Sequence, residues 1–77
     1  MTKITKLDAE IILAYAEYDM NALEVARQIY VHPNTVDYHL NKVKRVTGLN
    51  PYRFYDLHEL VGIAEKVLEE FNNASSN

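Results

Sequence analysis

Two apolar patterns separated by a short turn, between Asn21 and Gly48, constrain the fold of this chain more than any other feature. Both repeat at helical spacing: Leu23, Val25, Ala26 and Ile29 form the first, and Val36, Leu40, Val43 and Val46 or Thr47 form the second. Spacings of three and four residues are typical of amphipathic helices. The patterns therefore predict two short helices, over about 21–30 and 33–47, joined by a tight turn.

Local signals at the ends of these two segments favour the same boundaries. Asn21 precedes Glu24 by three residues, which is the spacing of a capping box at a helix N-terminus. Pro33 suits the first turn of a helix, because an N–H group at that position would have no partner within the helix. Gly48 follows the last apolar position of the second segment and is a typical C-cap residue.

Similar apolar spacings predict one more helix on each side of this pair. The first, over about 7–18, contains Leu7, Ile11, Ile12, Ala14, Tyr15 and Tyr18, and the last, from about 51 or 56 to 71, contains Leu57, Leu60, Val61, Ala64, Val67, Leu68 and Phe71. Thr5 and Asp8 have the spacing of a cap before the first of these helices. A chain of 77 residues has room for one core. We therefore predict an all-α fold, a single four-helix domain over 1–77 that is ordered from about 5 to 71 and frayed over 72–77.

Composition argues against several classes of protein. The sequence has no Cys, which excludes disulfides and thiolate metal sites. No apolar run approaches the ~20 residues of a membrane span, and the N-terminus lacks the apolar core of a signal peptide, so we expect a cytoplasmic location. The three His residues are not spaced as metal ligands, and neither a phosphate-binding loop nor a nucleophile–base pair is evident. We expect neither an enzyme nor a bound cofactor or metal.

The charges of the chain are unevenly distributed. Its net charge is −3, yet residues 27–53 carry five basic residues against Asp37 alone, a balance of +4, and the remainder carries −7. Such asymmetry is typical of a surface that binds nucleic acid, with an ordinary solvated surface as the alternative. The basic segment coincides with the two-helix pattern. Two short helices joined by a tight turn are the helix-turn-helix arrangement, whose second helix enters the DNA major groove.

The second helix of the predicted pair supplies most of the candidate DNA contacts. Side chains near its beginning can reach base edges, and these are Asn34, Asp37, Tyr38 and Asn41; Thr35 adds a hydroxyl at the helix N-terminus. The residues suited to phosphate groups are Arg27, His32, His39, Lys42, Lys44, Arg45 and Arg53. The N–H groups of the first turn of this helix are a further place where a phosphate can bind. Asn34 and Thr35 can instead satisfy those N–H groups.

Several of these residues have alternative roles that the sequence leaves open. Asp37 can accept a hydrogen bond from a cytosine amino group, or it can simply be exposed. Tyr38 can contact a phosphate or pack on a neighbouring turn. Arg27 and Arg53 can form surface ion pairs, which contribute little to stability. His39 can form a local hydrogen bond in place of a phosphate contact.

The run VARQIYVHPNTVDYHLNKVKRVTGLN resembles the C-terminal helix-turn-helix domain of the PucR type, found in bacterial regulators of purine and sugar-diacid utilisation. The matching residues include Ala26, His32, Asn34-Thr35-Val36, Tyr38, Leu40, Val43 and Thr47-Gly48-Leu49. The segment TVDYHL is similar as well to the LuxR-type four-helix domain. The resemblance spans about 7–68 and implies a transcriptional regulator with Pro33–Thr47 as its recognition helix. It also implies that five residues of this helix face the DNA bases: Asn34, Thr35, Asp37, Tyr38 and Asn41. Family members usually carry Arg where this chain has Pro33 and His39, so two basic groups are missing from its DNA-facing side.

Together these features predict a small sequence-specific DNA-binding regulator. A single domain of this size contacts one half-site, so we expect a homodimer on double-stranded DNA. The expected dimer surface is on the last helix, at Leu57, Leu60, Ile63, Val67, Leu68 and Phe71. The first helix, with Ile12 and Leu13, is the alternative surface. The acidic total and the two missing Arg residues favour a second hypothesis, a protein–protein interaction module on a helix-turn-helix fold that no longer binds DNA, with another regulator or RNA polymerase as its partner.

Overall fold

The computed structural model describes residues 4–75, with side chains over 4–73. This part of the chain forms four helices, α1 (Lys6–Glu17), α2 (Ala22–Ile29), α3 (Pro33–Thr47) and α4 (Phe54–Ser75), which confirms the all-α prediction. The bounds of α3 are those predicted from the sequence. Of the predicted frayed tail, residues 72–75 are helical and residues 76–77 lie outside the described part of the chain.

The predicted capping signals are present at the ends of three helices. At the beginning of α1, Thr5 Oγ1 accepts a hydrogen bond from the Asp8 N–H (3.1 Å), and Asp8 Oδ2 accepts one from the Thr5 N–H (3.0 Å). At α2, Asn21 Oδ1 accepts from the Glu24 N–H at 3.1 Å. α3 is capped at its C-terminal end by Gly48, whose φ of 78° lies in the left-handed region that favours glycine. Local sequence therefore determines where these helices begin and end.

α1 occupies the centre of the domain. Each of the other three helices packs against α1, α4 most extensively, and α2 and α3 also pack against each other. Among the described residues the backbone of α4 does not approach that of α2 or α3. The largest fully buried apolar side chains come from all four helices: Ile11, Ile12, Val25, Val36, Leu40, Val43 and Leu60. Because α3 contributes only one side to this core, its opposite side remains exposed.

Several residues assigned to apolar stripes by the sequence pattern are exposed, Val46 (40%) and Phe71 (45%) among them, and a charged residue is buried instead. Leu7 is 41% exposed and Leu23 is 66% exposed, whereas Asp8 has no exposed surface. One residue corresponds to about 100° around a helix axis, so burial of Asp8 turns its neighbour Leu7 toward solvent. The prediction of which side of α1 is buried was therefore wrong at its first turn.

Only part of the predicted dimer surface on α4 is accessible in the folded domain. Leu57, Leu60 and Val67 are buried in the core of the domain, and Ile12 of the alternative surface is buried as well. A buried side chain cannot contact a second copy, so these residues are corrected to core positions. Of the others, Ile63 and Leu68 are half-buried and Phe71 is exposed, whereas the exposed middle of α4 is polar, with Gly62, Glu65, Lys66 and Glu69.

Candidate nucleic-acid interface

One side of α3 is exposed along most of its length. Asn34, Tyr38, Asn41 and Arg45 follow one another at spacings of four, three and four residues, and all four are exposed. With 3.6 residues per turn, these positions form a single stripe opposite the buried side of the helix. Three of the five predicted base-facing residues lie on this stripe, which we call the recognition stripe.

The other two predicted base-facing residues lie beside the recognition stripe. Thr35 and Asp37 are both half-buried. Asp37 Oδ1 accepts a hydrogen bond from the Tyr52 hydroxyl at 3.2 Å. The Tyr52 ring in turn packs edge-on against Tyr15 of α1, with 6.1 Å between the ring centroids. Asp37 thus has a partner in the segment between α3 and α4, which is neither of the two roles that the sequence suggested.

The same contacts hold Tyr52 in its neutral, donating form. Burial, the charge of Asp37 and the hydrogen bond to Asp37 raise the pKa of Tyr52 to about 12. Burial and the Asp37 charge also raise the pKa of Tyr15 above its ordinary value of 10.0. Both hydroxyls are protonated at neutral pH, and the raised pKa lets Tyr52 keep its proton, and donate it to the Asp37 carboxylate, at pH values above 10 as well.

His32 caps the beginning of α3 with its side chain. Its Nδ1 accepts a hydrogen bond from the Asn34 N–H at 3.0 Å, and the Thr35 N–H donates to the His32 carbonyl at 2.9 Å. Pro33 has no N–H, and the N–H groups of Asn34 and Thr35 are both bonded to His32. The phosphate site predicted on the first turn of α3 is therefore not formed. Because Nδ1 accepts, the ring proton lies on Nε2, where it can donate to a group outside the chain.

Among the other predicted phosphate-binding residues, the three Arg side chains and Lys44 differ in whether they have a partner within the chain. Arg27 lies 3.5 Å from Glu24 in an exposed ion pair, the alternative that the sequence left open, and such a pair contributes little to stability. Lys44, Arg45 and Arg53 are exposed and form no ion pair within the described residues. These three cations therefore remain available to a partner outside the chain.

His39 and Lys42 face α1, where their partner is Asp8. His39 Nδ1 lies 2.5 Å from Asp8 Oδ1, and Lys42 Nζ lies 2.7 Å from Asp8 Oδ2. Burial of Asp8 raises its pKa, but hydrogen bonds from Lys42, the Thr5 N–H and His39 outweigh this effect and hold the pKa below its ordinary value of 3.8. Asp8 is therefore an ionised carboxylate inside the domain.

Sequence reasoning missed this cluster, since Asp8 lies outside the basic segment. Its charge reduces the local balance of that segment from +4 to +3. The available signal was the spacing of His39 and Lys42, which lie three residues apart beside the apolar stripe of α3. Two basic groups at the edge of a buried side indicate an acidic partner within the fold.

The family model of the PucR C-terminal helix-turn-helix domain matches residues 9–61, from α1 through the helix pair into α4. This match covers more than half of the chain. The chain belongs to the PucR C-terminal helix-turn-helix family. No curated protein and no solved structure is significantly similar to it. In this PucR-type domain α3 is the second helix of the helix-turn-helix pair, which in DNA-binding regulators enters the major groove.

Two further observations concern other classes of site in the PucR-type domain. Within residues 4–75, no group of three or more His, Asp or Glu side chains could hold a metal ion. Among the helices of the same range, none is both long and apolar enough to cross a membrane.

Proposed function

We propose that this domain is a sequence-specific transcriptional regulator that binds double-stranded DNA as a homodimer, with α3 in the major groove. The observation that carries the proposal is the recognition stripe, a row of exposed polar and aromatic side chains ending in Arg45. Membership of a helix-turn-helix family supports the same reading. A regulator acts where the DNA is, so we place it in the cytoplasm of a bacterial-type cell.

Asn34 and Asn41 are the side chains that we assign to base readout. An Asn amide can form two hydrogen bonds with the N6 and N7 atoms of adenine in the major groove. Seven residues separate the two positions, which is roughly 10 Å along a helix at 1.5 Å per residue. Base pairs rise by about 3.4 Å, so a helix lying along the groove presents the two amides to positions about three base pairs apart. Tyr38 lies between them on the same stripe.

The phosphate contacts are assigned to Lys44, Arg45, Arg53, Arg27 and the Nε2–H of His32. Each of these side chains is exposed. A cation at a phosphate strengthens binding to any duplex and fixes the position of the domain on the DNA. His39 and Lys42 are left out of this set because both side chains already face Asp8.

The homodimer is proposed from the size of the recognition surface. One α3 helix covers a single half-site, and helix-turn-helix dimers bind two half-sites about one helical turn of DNA apart. Sedimentation of the protein with and without duplex measures the stoichiometry directly. We expect two protein chains per duplex, and a single chain on every bound duplex would contradict the dimer.

Selection from a random-duplex pool tests sequence-specific binding. We expect an enriched palindrome at physiological salt, and affinity that falls steeply as salt rises. Asn34→Ala and Asn41→Ala should each relax one base position, about three base pairs apart in each half-site, with about a tenfold or greater loss at that position. Asn72→Ala removes an exposed amide from α4 and serves as the control. Absence of binding even at low salt would refute the proposal.

A groove lined by no residue of α3 favours a second candidate function, the protein–protein interaction module. Its volume is about 340 Å³, and it lies between the end of α1 and the beginning of α4, lined by Ala16, Asp19, Met20, Phe54, Leu57, His58 and Val61. Phe54 and the adjacent Tyr55 are largely exposed. Exposed aromatic side chains are typical of interaction surfaces. This function would be favoured if the protein does not bind DNA but binds another regulator or RNA polymerase, and if Phe54→Ser abolishes that binding.

A further inference from the structure

The Asp8 carboxylate joins α1 to α3 through His39 and Lys42, two basic residues that are not among the proposed DNA contacts. Asp8 has no exposed surface, and it accepts hydrogen bonds from Lys42 at 2.7 Å and from the Thr5 N–H at 3.0 Å. His39 lies 2.5 Å from its other oxygen. Both carboxylate oxygens are thus engaged, one with each basic side chain of α3.

These contacts lie on one flank of the recognition stripe, and Asp37 lies on the other. On a helix with 100° per residue, His39 and Lys42 occupy the same flank, because they are three residues apart, whereas Asp37 falls on the opposite one. Asp37 is bonded there to Tyr52. Polar contacts therefore hold α3 from both sides, and the recognition stripe is the exposed strip between them.

Polar contacts of this kind restrict the rotation of a helix in a way that apolar packing does not. Burial of apolar surface is non-directional, so a core of Val and Leu side chains accepts small rotations of α3. A hydrogen bond weakens steeply when its angle or length departs from the optimum. A rotation of α3 by one residue would separate both basic groups from a carboxylate that water does not reach.

We propose that Asp8 is a positioning residue for DNA recognition, which fixes the rotation of α3 and thereby determines that Asn34, Tyr38 and Asn41 face the bases. The same contacts withdraw His39 and Lys42 from the phosphate-binding set. This inference rests on the proposed function, because it concerns how α3 reads DNA. It assigns to a buried acid on α1 a part in sequence specificity, although that acid does not touch DNA.

The first experiment compares specific with non-specific affinity. Asp8→Asn keeps the size of the side chain but removes its charge, and Glu10→Gln removes an exposed charge from the same helix as a control. Each variant is bound to the selected duplex and to a scrambled duplex at a temperature where circular dichroism shows it folded. We expect Asp8→Asn to reduce the specific-to-non-specific ratio about tenfold or more, since each lost base contact costs roughly 5- to 150-fold in affinity and a rotation of α3 displaces three of the proposed contacts together. Non-specific affinity should be unchanged or higher, and Glu10→Gln should keep the wild-type ratio.

Equal losses on the two duplexes would overturn the proposal, because partial unfolding weakens both to the same extent. If the wild-type protein binds no duplex at low salt, the proposed function itself fails. If the wild-type protein binds DNA and Asp8→Asn keeps the wild-type ratio, only the proposal about Asp8 fails.

A second measurement holds even where Asp8→Asn does not fold. Each phosphate contact contributes about 0.9 to the slope of log affinity against log salt concentration. Lys44→Ala should therefore reduce that slope by about 0.9, whereas Lys42→Ala should leave it unchanged, because Lys42 is bonded to Asp8. A similar reduction in Lys42→Ala would show that Lys42 binds phosphate, and would overturn the proposal.

Discussion

Replacement of Asp8 by Ala is expected to destabilise the domain strongly. The substitution removes one half of the capping box of α1 and leaves His39 and Lys42 without their shared acceptor. Removal of one partner from a buried ion pair costs about 3–5 kcal/mol, and loss of a helix cap costs about 1 kcal/mol. The side chains of His39 and Lys42 are 15% and 22% exposed, so both can regain some contact with water. We therefore expect a net loss of about 2–4 kcal/mol.

This loss is large for a domain of this size. At 0.05–0.15 kcal/mol per residue, a chain of this length has a free energy of unfolding of roughly 4–12 kcal/mol. Each kcal/mol corresponds to roughly 4–8 °C in Tm for a small domain, so the Tm of Asp8→Ala should fall by about 8–32 °C. Urea unfolding followed by circular dichroism at 222 nm measures the free energy directly.

A control variant and a pH series separate the Asp8 contacts from a general effect of charge. Glu10→Ala removes an exposed acid from the same helix and should change stability by no more than about 0.5 kcal/mol. The pKa of Asp8 is lower in the folded than in the unfolded chain. Its ionisation therefore stabilises the fold above about pH 4, and this contribution disappears as the pH falls through the folded pKa. A loss in Asp8→Ala no larger than in Glu10→Ala, or one that does not shrink in acid, would refute the reasoning.

Three further predictions concern other parts of the fold. Gly48→Ala should cost about 1–2 kcal/mol in thermal unfolding, because φ is +78° and the added Cβ meets no atom within 4 Å, so that backbone strain is the whole cost. Gly62→Ala, in the exposed middle of α4, should instead stabilise by about 0.5–1 kcal/mol, and equal effects at the two glycines would contradict this account. Leu40→Ala should cost about 2–5 kcal/mol in urea unfolding, since Leu40 is fully buried, and a cost below 1 kcal/mol would show that it is not a core residue. Absorbance at 295 nm should show Tyr52 titrating near pH 12, and Asp37→Asn should lower this pKa by removing the adjacent charge. Because the folded pKa lies above the ordinary 10.0, the stability contributed by neutral Tyr52 is lost between about pH 10 and 12. An unchanged titration in Asp37→Asn would argue against the hydrogen bond.

The helices could be predicted because their signals are local. The caps at Thr5 and Asn21, the position of Pro33 and the C-cap at Gly48 each act within a few residues, and all four occupy those positions in the structure. The period of the apolar residues then indicates the length of each helix. For α3 these signals together gave both bounds correctly.

The burial of Asp8 could not be predicted in this way, because its cause is distant in sequence. His39 and Lys42 lie 31 and 34 residues away, and an isolated acid at the beginning of a helix is ordinarily exposed. The pattern of α1 alone therefore placed Leu7 inside. Burial of an ionised group depends on its partners, and helical periodicity does not report which partners another helix brings to it.

Which apolar residues of α4 are buried in the core and which are accessible could not be predicted, for a related reason. Apolar residues at helical spacing show that one side of a helix is buried, but they do not show whether the covering surface belongs to the same chain or to a second copy. Here α1 covers Leu57, Leu60 and Val67. On α3, by contrast, the apolar stripe did indicate where Asn34 and Asn41 are exposed, because both lie opposite it.

The central claim, that α3 is the DNA-contacting surface, is tested most directly by nuclear magnetic resonance. Duplex DNA is added at low salt to the ¹⁵N-labelled protein, and the change in each backbone amide signal is measured. This account predicts that the largest changes fall within Pro33–Thr47 and beside Arg53, and that the middle of α4 around Gly62 changes little. Changes concentrated around Leu57–Val61 and the end of α1, or no change at any duplex concentration, would contradict it.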